Sequence, residues 1–101
     1  MTRLNVYAMP DRDRRGYVLD VQADLLSHLD TRTVVPLLPE GEAPPPIKEL
    51  NPVFPIEGEL HVMLTQAIAS IPAKELKRSV ASLGDHHDDV TRALDILLIG
   101  F

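Results

Sequence analysis

Asp85-His86-His87-Asp88-Asp89-Val90-Thr91-Arg92-Ala93-Leu94-Asp95-Ile96-Leu97-Leu98-Ile99-Gly100-Phe101 closes the chain with a helical hydrophobic period, whereas the first two thirds read as β. Val90, Ala93, Leu94, Leu97 and Phe101 fall three and four apart. At 3.6 residues per turn they share one face. Ile96 and Ile99 project on the other side, among Asp88, Arg92 and Asp95. The helix is therefore predicted over about 85–99, with apolar surface left over at its far end. Burying an Ile or a Phe is worth roughly 1.5–3 kcal/mol, so Ile99-Gly100-Phe101 is a candidate anchor for a partner. The alternative is that Phe101 folds back into the chain's own core.

The start of this helix is marked by Gly84, which breaks the preceding segment, and by Asp85, which is positioned to cap. Asp88 and Asp89 then place negative charge at the positive end of the helix dipole.

Upstream, the elements are strands. Leu4, Val6 and Ala8 alternate with Asn5, Tyr7 and Met9, the pattern of a half-buried strand. After a polar loop from Pro10 to Gly16, Tyr17, Leu19 and Val21 alternate with Val18, Asp20 and Gln22, which makes an antiparallel hairpin. Asp24 to Asp30 reads as a helical turn or irregular excursion. Thr33 to Leu38 is a third strand whose Pro36 lacks a ladder donor, which predicts an edge or a bulge. Pro39 to Pro46 holds four prolines and a glycine in eight residues and reads as an extended surface loop. Pro52 to Ile56 and Leu60 to Thr65 are two more strands, with Gly58 in the tight turn between them. In the second, Leu60, Val62 and Leu64 share one face, with His61, Met63 and Thr65 opposite. Ala67 to Ile71 either continues this strand or pairs separately, with Pro72 ending it, and Lys74 to Leu83 is left unassigned. The fold class is mainly β, a small barrel-like sheet with a C-terminal helix, in one domain over residues 1–101.

Composition narrows the function. Fifteen acidic against ten basic residues give a formal charge of −5, which disfavours a free-standing nucleic-acid binder. The basic runs Arg12, Arg14, Arg15 and Lys74, Lys77, Arg78 read as wet surface. With no cysteine, neither a disulfide nor a thiolate site is available, and the chain suits a reducing cytoplasm. No signal peptide or membrane span is evident. In His86-His87-Asp88-Asp89, neighbouring helical side chains point about 100° apart and do not converge on one ion. Neither histidine has a ligand four residues on. His28 and His61 read as structural. No phosphate loop or nucleophile elbow occurs, so no catalytic residue, metal or cofactor is assigned.

Several segments together resemble the CcdB toxins of bacterial toxin–antitoxin modules: Val6-Tyr7, Val18-Leu19-Asp20-Val21-Gln22-Ala23-Asp24-Leu25-Leu26, Val34-Val35-Pro36-Leu37, Met63-Leu64-Thr65, Ala69-Ser70-Ile71-Pro72, and the last helix with Gly100 next to its end. The resemblance implies a cytoplasmic homodimer of SH3-like barrels of the CcdB/MazF type, which is not an enzyme. It implies binding to the A subunit of DNA gyrase, trapping the complex with cleaved DNA. A CcdA-like antitoxin would neutralise it, and the two together would bind operator DNA and repress their operon.

Carried over by position, the gyrase-contacting residues are Leu25, Leu26, Asp95, Ile99, Gly100 and Phe101. Two depart from the family's pattern: Ile99 stands where the best-known members carry tryptophan, and Asp95 where they carry a neutral amide. These departures leave open weaker gyrase poisoning, an altered gyrase or another target. Two other functions stay in view. One is a MazF-like endoribonuclease, and the other a non-toxic relative that only binds antitoxin.

Overall fold

Alternating side chains on a strand face opposite sides of a sheet, and here the first three strands are apolar on both. A computed structural model describes residues 2–10 and 15–101. Its strands are β1 (Asn5–Ala8), β2 (Tyr17–Asp20), β3 (Thr31–Pro39), β4 (Val53–Ile56), β5 (Glu59–Met63), β6 (Ala69–Pro72) and β7 (Ser79–Ser82). They form an antiparallel sheet in the order β4-β5-β3-β2-β1-β7, with β6 also pairing β3. This is a half-barrel closed by one helix, α1 (His87–Leu98). No described helix is long and apolar enough to cross a membrane.

The inner face carries Val6, Leu19, Val35 and Leu37, packed on Phe54, Ile56, Met63 and the helix residues Val90 and Ala93. The outer face carries Tyr7, Val18 and Val34 under Leu76. β1 is thus not half-buried as its alternation predicts: Tyr7 is as hidden as Val6, and Ala8 is the exposed residue. β5 departs from simple alternation as well. His61, Val62 and Met63 are all buried, so both faces are covered, as is Thr65 in the turn that follows, while Leu60 at the start is exposed. His61 Nδ1 lies 2.8 Å from the Glu59 carbonyl, and its ring meets Tyr17 edge-on at 5.1 Å, a structural role.

Pro36 corrects a second expectation, since it occupies a central strand with unbroken register to β2 (Val18↔Pro36). Its carbonyl accepts from the Leu64 N–H at 2.9 Å. The N–H and C=O of a strand residue point the same way, so the missing donor faces the gap where β3 changes partner from β6 (Thr31 to Val34) to β5 (Leu37 to Pro39). The proline costs no ladder bond there.

The turn between β4 and β5 has positive φ at both Glu57 (54°) and Gly58 (80°), the conformation of a two-residue hairpin whose twist matches the strands. After β3, Glu40–Glu42 form a short 3-10 turn and the chain then runs extended and exposed to Pro46. Asn51 pins the end of this loop: it accepts the Ile47 N–H and donates to the Met63 carbonyl. The 3-10 turn at Asp24–Leu26 matches the predicted excursion after β2. Of the Arg12, Arg14, Arg15 run, only Arg15 falls within the described residues, where it pairs with Glu42 and Glu59 at the surface.

Gly16 offers a test of this packing. At φ +112°, a Cβ there would sit 2.5 Å from the Leu37 carbonyl oxygen and 3.2 Å from Leu38 Cδ2. Gly16→Ala is expected to lower stability by about 2 kcal/mol or more through backbone strain and overpacking. Gly41, which has nothing within 4 Å of its ideal Cβ, provides the matched control, and thermal unfolding of the two alanine variants separates them.

Candidate functional site: the end of the terminal helix

α1 is anchored along one stripe. Val90 and Ala93 are fully buried against the inner face, and Leu94 packs beside them. The helix starts two residues later than predicted and without a side-chain cap, so Asp85 does not cap it. A 3-10 turn over Gly84–His86 leads in instead, with the His86 N–H donating to the Leu83 carbonyl at 2.9 Å. The His86 ring lies 4.9 Å from that of Phe54, so packing positions this turn. Asp88 and Asp89 do lie in the first helical turn, where their charge opposes the dipole.

The other end decides what is left exposed. The helix stops at Leu98, and Ile99 leaves helical geometry at φ −121° and ψ −29°. Gly100 then takes φ +98°, a left-handed conformation that glycine adopts without a Cβ penalty. Its N–H donates to the carbonyls of Asp95 (3.0 Å) and Ile96 (3.1 Å), while the Ile99 N–H donates to the Asp95 carbonyl at 2.7 Å. These bonds satisfy the helix's last carbonyls and turn the chain.

Phe101 is therefore not on the core face where the three-and-four spacing places it. The spacing from Leu97 to Phe101 has meaning only while the helix continues. Phe101 is 83% exposed and Ile99 61%. Leu98, which the periodicity assigns to neither face, is 71% exposed and enlarges the patch. The only signal in the sequence for Leu98 is its place within the unbroken run Ile96-Leu97-Leu98-Ile99.

Beside this tail runs a shallow groove of about 330 Å³ lined by Asp88, Thr91, Arg92, Asp95 and Phe101. The structure thus brings Asp95 and Phe101 together. Arg92 Nη2 donates to Glu49 Oε2 at 3.0 Å. That hydrogen bond first, and the guanidinium's charge second, hold the Glu49 carboxyl below its ordinary range. Leu25 (86% exposed) and Leu26 (40% exposed) lie on the 3-10 turn after β2. That turn is tied to Arg3 and Gln22: the Arg3 N–H donates to Asp24 and the Gln22 amide to the Leu26 carbonyl. Leu25 and Leu26 stand on a separate element from the tail within the protomer. Among the described residues no group of His, Asp and Glu could hold a metal ion.

A model of the family described as "CcdB protein" matches residues 3–100. Among solved structures, the chain is similar to the Mycobacterium tuberculosis toxin MazF-mt6. The TM-score is 0.71 at 15% identity, with 95% of each chain covered; at that identity the likeness shows the fold alone.

Proposed function

This chain belongs to the CcdB family of toxin–antitoxin toxins, and we propose that it acts by binding the DNA gyrase A subunit through its helix end and trapping the gyrase–cleaved DNA complex. The observation that carries this reading is the exposed cluster Leu98, Ile99 and Phe101 beyond a helix whose other apolar side chains are at least partly covered. Exposed apolar surface of this kind, presented on a rigid element, is what a buried interface core needs. Asp95 and Gly100 shape the same end, and in this reading Leu25 and Leu26, exposed on a separate turn, make further contacts with the gyrase subunit. In this reading the protein is a homodimer, no bond is made or broken by its own side chains, and a CcdA-like antitoxin silences it by covering the tail. Operator DNA is bound only jointly with that antitoxin.

The test is a cleavage assay with purified host gyrase, supercoiled plasmid and ATP. Double-strand breaks that accumulate with added protein, and appear on denaturing gyrase with detergent, are the expected result. Intact plasmid at saturating protein would overturn the gyrase reading. Sequence-specific fragments from cellular RNA in a parallel incubation would replace it with the endoribonuclease reading.

A further inference from the structure

Segments far apart in sequence meet at a cleft of about 770 Å³ whose lining includes no residue of the terminal helix. Met9 after β1, Tyr17 at the start of β2 and Val80 in β7 are half-buried and supply its apolar lining. The His61 contact holds the Tyr17 ring from one side. Charge enters from two further places. Glu57 comes from the β4–β5 turn, and Glu75, Lys77 and Arg78 come from the segment leading into β7. All four are exposed, and none makes an ion pair among the described residues. Glu57 is the most informative of them. It holds φ at +54° in the first place of a two-residue turn, where asparagine, aspartate or glycine fits with less strain. Such a backbone outlier beside a cavity points to function and not to turn stability.

A simple anion would meet as many carboxylates as cations here. A nucleic-acid strand would face a chain of formal charge −5. The lining suits instead a small ligand with an anionic end, a flat apolar body and an end rich in donors, and the cleft has the size of a small-molecule site. We propose that it binds a free purine mononucleotide, guanine in preference to adenine, with the phosphate on Lys77 and Arg78, the base against Tyr17 and Met9, and the base edge on the Glu57 carboxylate. An arginine fork and a lysine ammonium match phosphate oxygens, and aromatic side chains stack any base. The carboxylate supplies the discrimination. It only accepts hydrogen bonds, and guanine offers N1–H and N2–H₂ side by side. Adenine offers an acceptor, N1, next to its N6 donor, so one of its contacts is repulsive. This assignment does not depend on the gyrase reading.

The experiment titrates the full chain with GMP, AMP and inorganic phosphate at one ionic strength, by calorimetry and by amide chemical shifts. GMP is expected to bind about tenfold tighter than AMP or phosphate, with shifts centred on Tyr17, Gly58 and Val80. Lys77→Gln combined with Arg78→Gln is expected to weaken GMP about tenfold, with the thermal unfolding curve unchanged. Glu57→Asn shortens the side chain and removes its charge in a turn that favours asparagine. It is expected to bring GMP down to the affinity of AMP while Tm stays level or rises by about 2 °C. No binding at millimolar GMP overturns the proposal. So does equal affinity for GMP, AMP and phosphate, which would leave only charge attraction. A Glu57→Asn protein that still prefers GMP tenfold also overturns it. Shifts in the same residues with a peptide of mixed charge, but none with GMP, would make the cleft a peptide site and overturn it as well.

Discussion

Arg32→Met is expected to lower the unfolding free energy by about 3–5 kcal/mol, a large part of the roughly 5–15 kcal/mol a domain of this kind possesses. Arg32 and Asp20 are both fully buried. The guanidinium donates to Asp20 Oδ2 through Nη2 (2.5 Å) and Nε (3.0 Å), and Asp20 Oδ1 accepts the Gln22 N–H at 3.1 Å. Removing the arginine strands a carboxylate between β2 and β3 with one backbone donor left. Its charge then lies in the sheet's outer core near Val18 and Val34, where water cannot reach it.

The pair itself is less than fully satisfied, because Arg32 Nη1 has no hydrogen-bond partner among the described residues. Replacing both members, as Asp20→Leu with Arg32→Met, is therefore expected to recover most of the loss, since two apolar side chains carry no stranded charge. Urea unfolding of the two single variants and the double variant measures the coupling directly. Single variants within about 1 kcal/mol of the unmodified protein would mean that this pair is solvated or dispensable.

Ile99→Asp and Phe101→Asp are expected to abolish growth inhibition while the protein stays folded. Each substitution removes roughly 1.5–3 kcal/mol of apolar burial and adds a carboxylate that must be desolvated on docking. Together these terms weaken binding by at least about a hundredfold. Neither side chain contributes to the core, so Tm is expected to move by no more than about 2 °C. Expression without antitoxin reads the toxicity, and thermal unfolding reads the fold. Undiminished killing by folded variants would remove the tail from the active surface. The converse change, Ile99→Trp, adds a flat amphipathic ring of the type most common at interface hot spots, and is expected to raise potency. Unimpaired growth under the unmodified protein, with an intact chromosome, would favour the non-toxic relative that only binds antitoxin.

The hairpin of β1 and β2, the tight turn at Gly58 and the terminal helix are legible in the sequence because each rests on local chemistry: alternation, a left-handed glycine, a 3.6-residue period. The Pro36 expectation fails for an instructive reason. A missing donor reads as a sheet edge, but β3 changes partners at that residue, and no local pattern announces a partner change. The Asp20–Arg32 pair is hidden in the same way. Along the chain Asp20 is one polar step in an alternating strand, and only the β2–β3 register with a covering layer from Leu76 makes its face an interior.

At the candidate site the division is similar. The residues alone establish surplus apolar surface near position 99 and a glycine suited to ending a helix. They place Phe101 on the wrong face, because periodicity extends a helix past the point where hydrogen bonding stops it. Gly100 turning back onto the carbonyls of Asp95 and Ile96 is a three-dimensional event, and it takes Phe101 off the helix and leaves it in water. What the order of side chains determined was which segments other than β7 (Ser79–Ser82) are strands, where the helix lies and that its end is greasy. Which faces are covered, which charges meet and which apolar groups remain for a partner were decided by the packing of distant segments, because burial belongs to the assembled sheet and helix and not to any residue's neighbours in the chain.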